Sequence, residues 1–148
     1  MGTRAMPDQS DIPEGKGERV LVVDDEPRIV GFIERWLDGL GYQVRAATRP
    51  EAALELLRAE TDRIDLVITD YLMPGMNGLE LAARIRQIRK DLPILMTTGF
   101  IGEIPDETIQ QAGVTSVIQK PVFMRPLATV LRELLDGNRE TKDVRRET

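Results

Sequence analysis

The chain contains neither cysteine nor histidine. Without cysteine there is no disulfide framework, no thiol nucleophile and no thiolate metal site. Without histidine there is no imidazole base, no imidazole metal ligand and no phosphohistidine on this chain. Long apolar runs are missing too: none approaches the ~20 residues that span a bilayer. Residues 1–13 lack the apolar h-region of a secretory signal, so the cytosol is the expected location and no membrane contact is expected of this chain. Basic residues are not in excess. Lys and Arg number 20 against 25 Asp and Glu, a net charge of −5 at pH 7, which argues against a nucleic-acid partner. Any polar chemistry must rest on Asp, Glu, Lys, Ser and Thr.

What is present suits one folded domain. The chain is 148 residues long, 41% apolar and 30% charged, enough to bury a core. Residues 1–18 are polar and read as a disordered segment or linker. Residues 137–148 read as a charged, mobile tail. Between them, residues 19–136 alternate between two kinds of pattern. Short β-branched runs (Arg19 to Val23, Leu66 to Ile68, Ile94 to Thr97, Val114 to Ile118) are strands, and Tyr42 to Ala47 is a more polar one, suited to an edge. Helices follow each. The first opens at Pro27, presents Ile29, Ile33, Trp36, Leu37 and Leu40 as its apolar face, and stops at Gly41. The second opens at Pro50, with Ala52, Ala53, Leu56 and Leu57 inward. The others cover Gly78 to Arg86, Asp106 to Ala112 and Arg125 to Leu135. Five strand–helix units in strict alternation predict an α/β fold, a parallel sheet with helices on both faces in three αβα layers.

One stretch organises the rest. Leu66-Val67-Ile68-Thr69 is a buried strand that stops on Asp70, and Met73-Pro74-Gly75 forces a turn. An Asp in such a place often only caps the turn. In a parallel sheet, however, all strand C-termini share one edge, which is where ligands bind in open α/β folds. That edge gathers Asp24 and Asp25 after the first strand, Asp70 after the third, Thr98 after the fourth and Lys120 after the fifth. Three crowded carboxylates repel one another unless a cation is present. Mg²⁺, or Mn²⁺ in its place, suits such hard oxygen ligands. Three negative charges against a divalent cation and one Lys sum to zero, so the site can receive a dianionic group. Thr97 could take the place given to Thr98, since the doublet is ambiguous by one residue. Gly99, a small neighbour, favours Thr98.

Val20-Leu21-Val22-Val23-Asp24-Asp25-Glu26, the Asp70-to-Gly78 loop, Thr98-Gly99 and Lys120-Pro121, in this order and spacing, resemble the receiver domain of two-component response regulators. The resemblance covers about Glu18 to Asp136. It implies a flavodoxin-like five-stranded sheet of order 2-1-3-4-5. It also implies Mg²⁺-dependent acceptance of a phosphoryl group on Asp70 from a phosphohistidine-bearing kinase or phosphotransfer domain. Asp25, Asp70 and the backbone carbonyl of Leu72 would hold the metal, with Asp24 acting through metal-bound water. Thr98 and Lys120 would contact phosphoryl oxygens, and Lys120-Pro121 would be cis. The domain would catalyse its own phosphorylation and dephosphorylation. The surface of the fourth helix, fifth strand and fifth helix would switch, and could serve a homodimer.

Two departures bear on that switch. Val117 stands where many members of the family carry an aromatic residue. Leu72 and Phe100 stand at positions that tune dephosphorylation, and their bulk predicts slow self-hydrolysis. Gly15-Lys16-Gly17-Glu18-Arg19 resembles the linker before the C-terminal receiver of hybrid sensor histidine kinases, so the chain reads as such a receiver or as a single-domain regulator. The rivals are a phosphorylation-independent interaction module of the same fold and an aspartate-nucleophile phosphatase. The latter usually needs a second Asp where Leu72 stands.

Overall fold

In a computed structural model of the chain, residues 12–99 and 102–137 are described in full and 145–147 as backbone. The elements run β1 (Arg19–Val23), α1 (Pro27–Gly39), β2 (Gln43–Ala47), α2 (Pro50–Ala59), β3 (Leu66–Asp70), α3 (Gly78–Ile88), β4 (Ile94–Thr98), α4 (Asp106–Ala112), β5 (Ser116–Gln119), α5 (Met124–Leu135) and β6 (Arg145–Glu147). The parallel sheet has the expected order 2-1-3-4-5, extended by β6 beside β5. β6 falls within the expected mobile tail. Its sequence, Arg-Arg-Glu, carries no strand pattern, because the pairing at a sheet edge is made by the backbone.

Strand alternation divides the core into two layers. Leu21, Val23, Val67, Met96 and Val117 face α2, α3 and α4. Val20, Val22, Leu66, Ile68, Leu95 and Ile118 face α1 and α5. β3 and β4 are buried along their whole length, as expected of inner parallel strands covered on both sides.

The inward face of α1 differs from the expected one. Val30, Ile33 and Leu37 are buried, whereas Ile29 is 39% and Phe32 48% exposed. The apolar positions of α1 form two adjacent ridges, and spacing alone did not say which meets the sheet. Similarly, Ala53, Leu54 and Leu57 are the buried apolar residues of α2 beside Pro50, with Ala52 and Leu56 half-buried at the margin.

Residues 12–18, expected within the linker, are tied to the domain. The Gly15 amide donates to the Leu40 carbonyl and the Gly17 amide to that of Gly41, both at 2.8 Å. A Cβ on Gly15 would lie 2.8 Å from the Tyr42 ring, so this backbone rests on the ring face where only glycine fits. Glu18 accepts from Arg132 of α5 at 2.8 Å, and Arg132 also pairs with Asp136.

Burial raises the pKa of Glu18, but the Lys16 amide and Arg132 outweigh it and leave it below its ordinary value of 4.5. A depressed acid contributes stability above its unfolded pKa and loses it as pH falls through the folded value. Glu18→Gln is therefore expected to cost about 1 kcal/mol at neutral pH, the scale of a partly exposed ion pair. Urea unfolding at a series of pH values should show the gap closing below pH 4.5. A gap that persisted or widened in acid would refute the ion-pair account.

Candidate functional site

The C-terminal ends of β1, β3, β4 and β5 meet at one edge of the sheet. Asp24 follows β1, is 4% exposed and accepts from the Glu26 amide at 2.9 Å, which fixes the turn into α1. Asp25 is exposed and Asp70 buried. Carboxylate oxygens of Asp24, Asp25 and Asp70 lie within 4.8 Å of one another. The sheet brings Lys120 over them: its Nζ is 3.0 Å from Asp70 Oδ1 and 3.7 Å from Asp24 Oδ2. Its backbone amide donates to the Thr98 carbonyl at 2.8 Å, and Lys120-Pro121 is cis.

The electrostatics follow from this crowding. Burial, followed by the neighbouring charges of Asp70 and Asp25, raises the pKa of Asp24 despite the Glu26 amide and Lys120. Burial would lower the pKa of Lys120, but its hydrogen bond to Asp70 and the charges of Asp70 and Asp24 raise it instead. One ammonium cannot neutralise three carboxylates. The cluster gathers three hard oxygen ligands beside one another, a donor set that suits a divalent cation such as Mg²⁺.

Two cavities flank the acceptor. One, lined by Asp25, Asp70, Leu72, Met73, Pro74, Thr98, Gly99 and Lys120, opens over the acidic cluster. Leu72 stands on its rim, 61% exposed. The other is an apolar groove of about 530 Å³ between α1 and the β5–α5 turn. Ile29, Phe32, Trp36, Phe123 and Met124 line it, and Asp24, Thr97 and Lys120 close its polar end. The exposed ridge of α1 is one wall of this groove.

The geometry brings together every expected site residue: Asp24, Asp25, Asp70, Leu72, Thr98 and Lys120. Phe100 lies outside the described residues. The Thr doublet separates as strand alternation requires. Thr98 lines the cavity over the carboxylates, while the Thr97 hydroxyl donates to Asp70 Oδ1 at 3.5 Å. Val117 is fully buried, in the position where an aromatic side chain was missing from the expected pattern.

Residues 20–132 match the family model described as the response regulator receiver domain. The chain belongs to this family. Two-component response regulator ARR14 of Arabidopsis thaliana is 40% identical to this receiver over 91 residues, which cover 62% of this chain and 23% of that protein. A second response regulator of the same plant is 36% identical over 123 residues, 83% of this chain and 20% of its own. The receiver thus spans about a fifth of the length of these relatives. Among solved structures, chemotaxis protein CheY4 of Vibrio cholerae aligns at 31% identity with a TM-score of 0.72, covering 80% of this chain and 99% of that one. The receiver domain of the hybrid histidine kinase CckA aligns at 29% identity and a TM-score of 0.68, covering 79% and 98%. Among the described residues of the receiver, no helix is long and apolar enough to cross a membrane.

Proposed function

We infer that this receiver accepts a phosphoryl group on Asp70 from a phosphohistidine-bearing kinase or phosphotransfer domain. The observation that carries the reading is the Asp70 carboxylate. It is buried at a strand end, bonded to Lys120 on one oxygen and grouped with Asp24 and Asp25. A carboxylate is a weak nucleophile, but phosphoryl transfer depends mainly on positioning and on stabilising charge. Asp70 attacks phosphorus in line as the phosphorus–nitrogen bond of the donor breaks, and the bonding pair leaves with the imidazole. Lys120 and the Thr98 hydroxyl offer donors to the oxygens on which charge gathers. Asp24, Asp25, Asp70 and the Leu72 carbonyl would hold Mg²⁺ or Mn²⁺, which supplies further positive charge at the phosphoryl group. No general base is needed, which agrees with a chain lacking histidine.

The surroundings favour a protein donor. Ile29, Phe32, Phe123 and Leu72 are exposed apolar side chains on the rims of the two cavities, and such clusters mark contact sites. The donor domain would cover them while presenting its imidazole to Asp70. Phosphorylation would then alter the α4–β5–α5 surface, which could also pair in a homodimer. With Val117 in place of an aromatic residue, the change is carried by Thr98 and the loop leading to α4; residues 100 and 101 of that loop lie outside the described residues. The segment Gly15 to Arg19 supports a receiver within a hybrid sensor kinase, with a single-domain regulator as the alternative, and in either setting the site would work in the cytosol.

Incubation with Mg²⁺ and acetyl phosphate tests the reading by intact mass. One phosphoryl adduct is expected on the wild type and none on Asp70→Asn. A wild type that takes no phosphoryl group would instead favour an interaction module of this fold. An adduct that persists in Asp70→Asn would remove Asp70 from its role.

A further inference from the structure

Thr97 is the direct neighbour of Asp70 across the β3–β4 pair: the two residues are partners in the parallel register. Paired residues of parallel strands point to the same face. Both therefore face the layer built by Leu95, Ile68 and Ile118 against α1 and α5. Thr97 is 3% exposed, between this apolar layer and the polar end of the groove that Asp24 and Lys120 also line. A hydroxyl placed there is costly unless it is hydrogen-bonded. Its partner is Asp70 Oδ1, at 3.5 Å, the oxygen that also accepts from Lys120 at 3.0 Å. Valine would fill the same volume at this position without that cost.

We propose that Thr97 is a positioning residue for the phosphoacceptor: its hydroxyl and Lys120 together hold Oδ1 and so fix the rotation of the Asp70 carboxylate. The orientation of the second oxygen is then fixed as well. Lys120 alone cannot do this. It is a flexible side chain, about one-third exposed and shared with Asp24, whereas Thr97 has a stiff, β-branched side chain on a buried strand. The inference rests on the reading of Asp70 as acceptor, and Thr97 acts through Asp70 without touching the phosphoryl group.

The test compares wild type, Thr97→Val and Thr97→Ser as full chains, with Mg²⁺ and a series of phosphoramidate concentrations, following adduct formation by intact mass. Phosphorus–oxygen bond formation at Asp70 accompanies phosphorus–nitrogen cleavage, and the released ammonia takes its proton from solvent. Thr97→Val is expected to melt at or above the wild-type temperature. Its maximal rate should fall about fivefold, the scale of one ordinary hydrogen bond, since at 3.5 Å the contact is longer than a charge-assisted one, with the half-saturating phosphoramidate concentration unchanged. Thr97→Ser should recover the rate to within about twofold, since it keeps the donor. Equal rates for wild type and Thr97→Val would overturn the role of Thr97 while leaving Asp70 as acceptor. So would a Thr97→Ser rate as low as that of Thr97→Val, which would mark a packing effect. A wild type without adduct would overturn the acceptor reading and this one with it.

Discussion

Lys120→Met should slow phosphorylation of Asp70 by about 100-fold or more, the usual cost of removing one preorganised donor from a charge-stabilising site. Methionine keeps much of the length and apolar stem and removes the ammonium. With a divalent cation bound, the three carboxylates and Lys120 sum to zero; without Lys120 the sum is −1, and an incoming dianionic phosphoryl group is repelled. The same change should tighten Mg²⁺ binding several-fold, because the ammonium now 3.0 Å from Asp70 and 3.7 Å from Asp24 competes with the metal for the same oxygens. Slower transfer together with tighter metal binding separates loss of charge stabilisation from general damage to the site. An undiminished rate of adduct formation would remove Lys120 from the chemistry.

Gly78→Ala should destabilise the domain by about 3 kcal/mol, at the upper end of overpacking costs. The sign is unusual, since glycine to alanine within a helix ordinarily stabilises. Gly78 opens α3 next to its Asn77 cap, where the Asn77 side chain and Glu80 close a reciprocal capping box. Its amide donates to the Tyr71 carbonyl at 2.7 Å. A Cβ would stand 2.5 Å from the Asp70 carbonyl oxygen and 3.0 Å from Tyr71 Cα. Both are backbone atoms of the acceptor's own turn and cannot swing aside. Relief would have to displace Asp70, so phosphorylation should slow as stability falls. Urea unfolding that shows Gly78→Ala as stable as wild type would refute the close approach.

Gly78 also shows where sequence reasoning reached its limit. In the sequence it only closes the Asp70-to-Gly78 loop, where a glycine signals no more than a turn. Gly75 does have a positive φ of 83°, but Gly78 is needed for clearance, and clearance depends on what the fold brings near. Asp24, Asp25, Asp70 and Lys120 were legible because strand–helix alternation alone sends every strand end to one edge. Thr97 was weighed only as a substitute for Thr98, because its role needs the register between β3 and β4, which a single strand does not carry. The buried ridge of α1 was misread at Ile29 because the two ridges are equally apolar, and only the position of the sheet chooses Val30. β6 left no trace in the side-chain pattern. The fit of Gly15 against the Tyr42 ring was hidden inside a segment whose composition resembles a linker.

The alternation of β4 has one more consequence. Its two adjacent hydroxyls diverge: Thr97 faces the layer of α1 and α5, and Thr98 continues the side of Met96, towards α3 and α4. A single carboxylate is thus attended from both layers of the molecule. The groove that would receive a donor belongs to the first layer, while the loop into α4 belongs to the second. Substitutions on α1 and in the loop into α4 therefore reach Asp70 from opposite faces of the sheet.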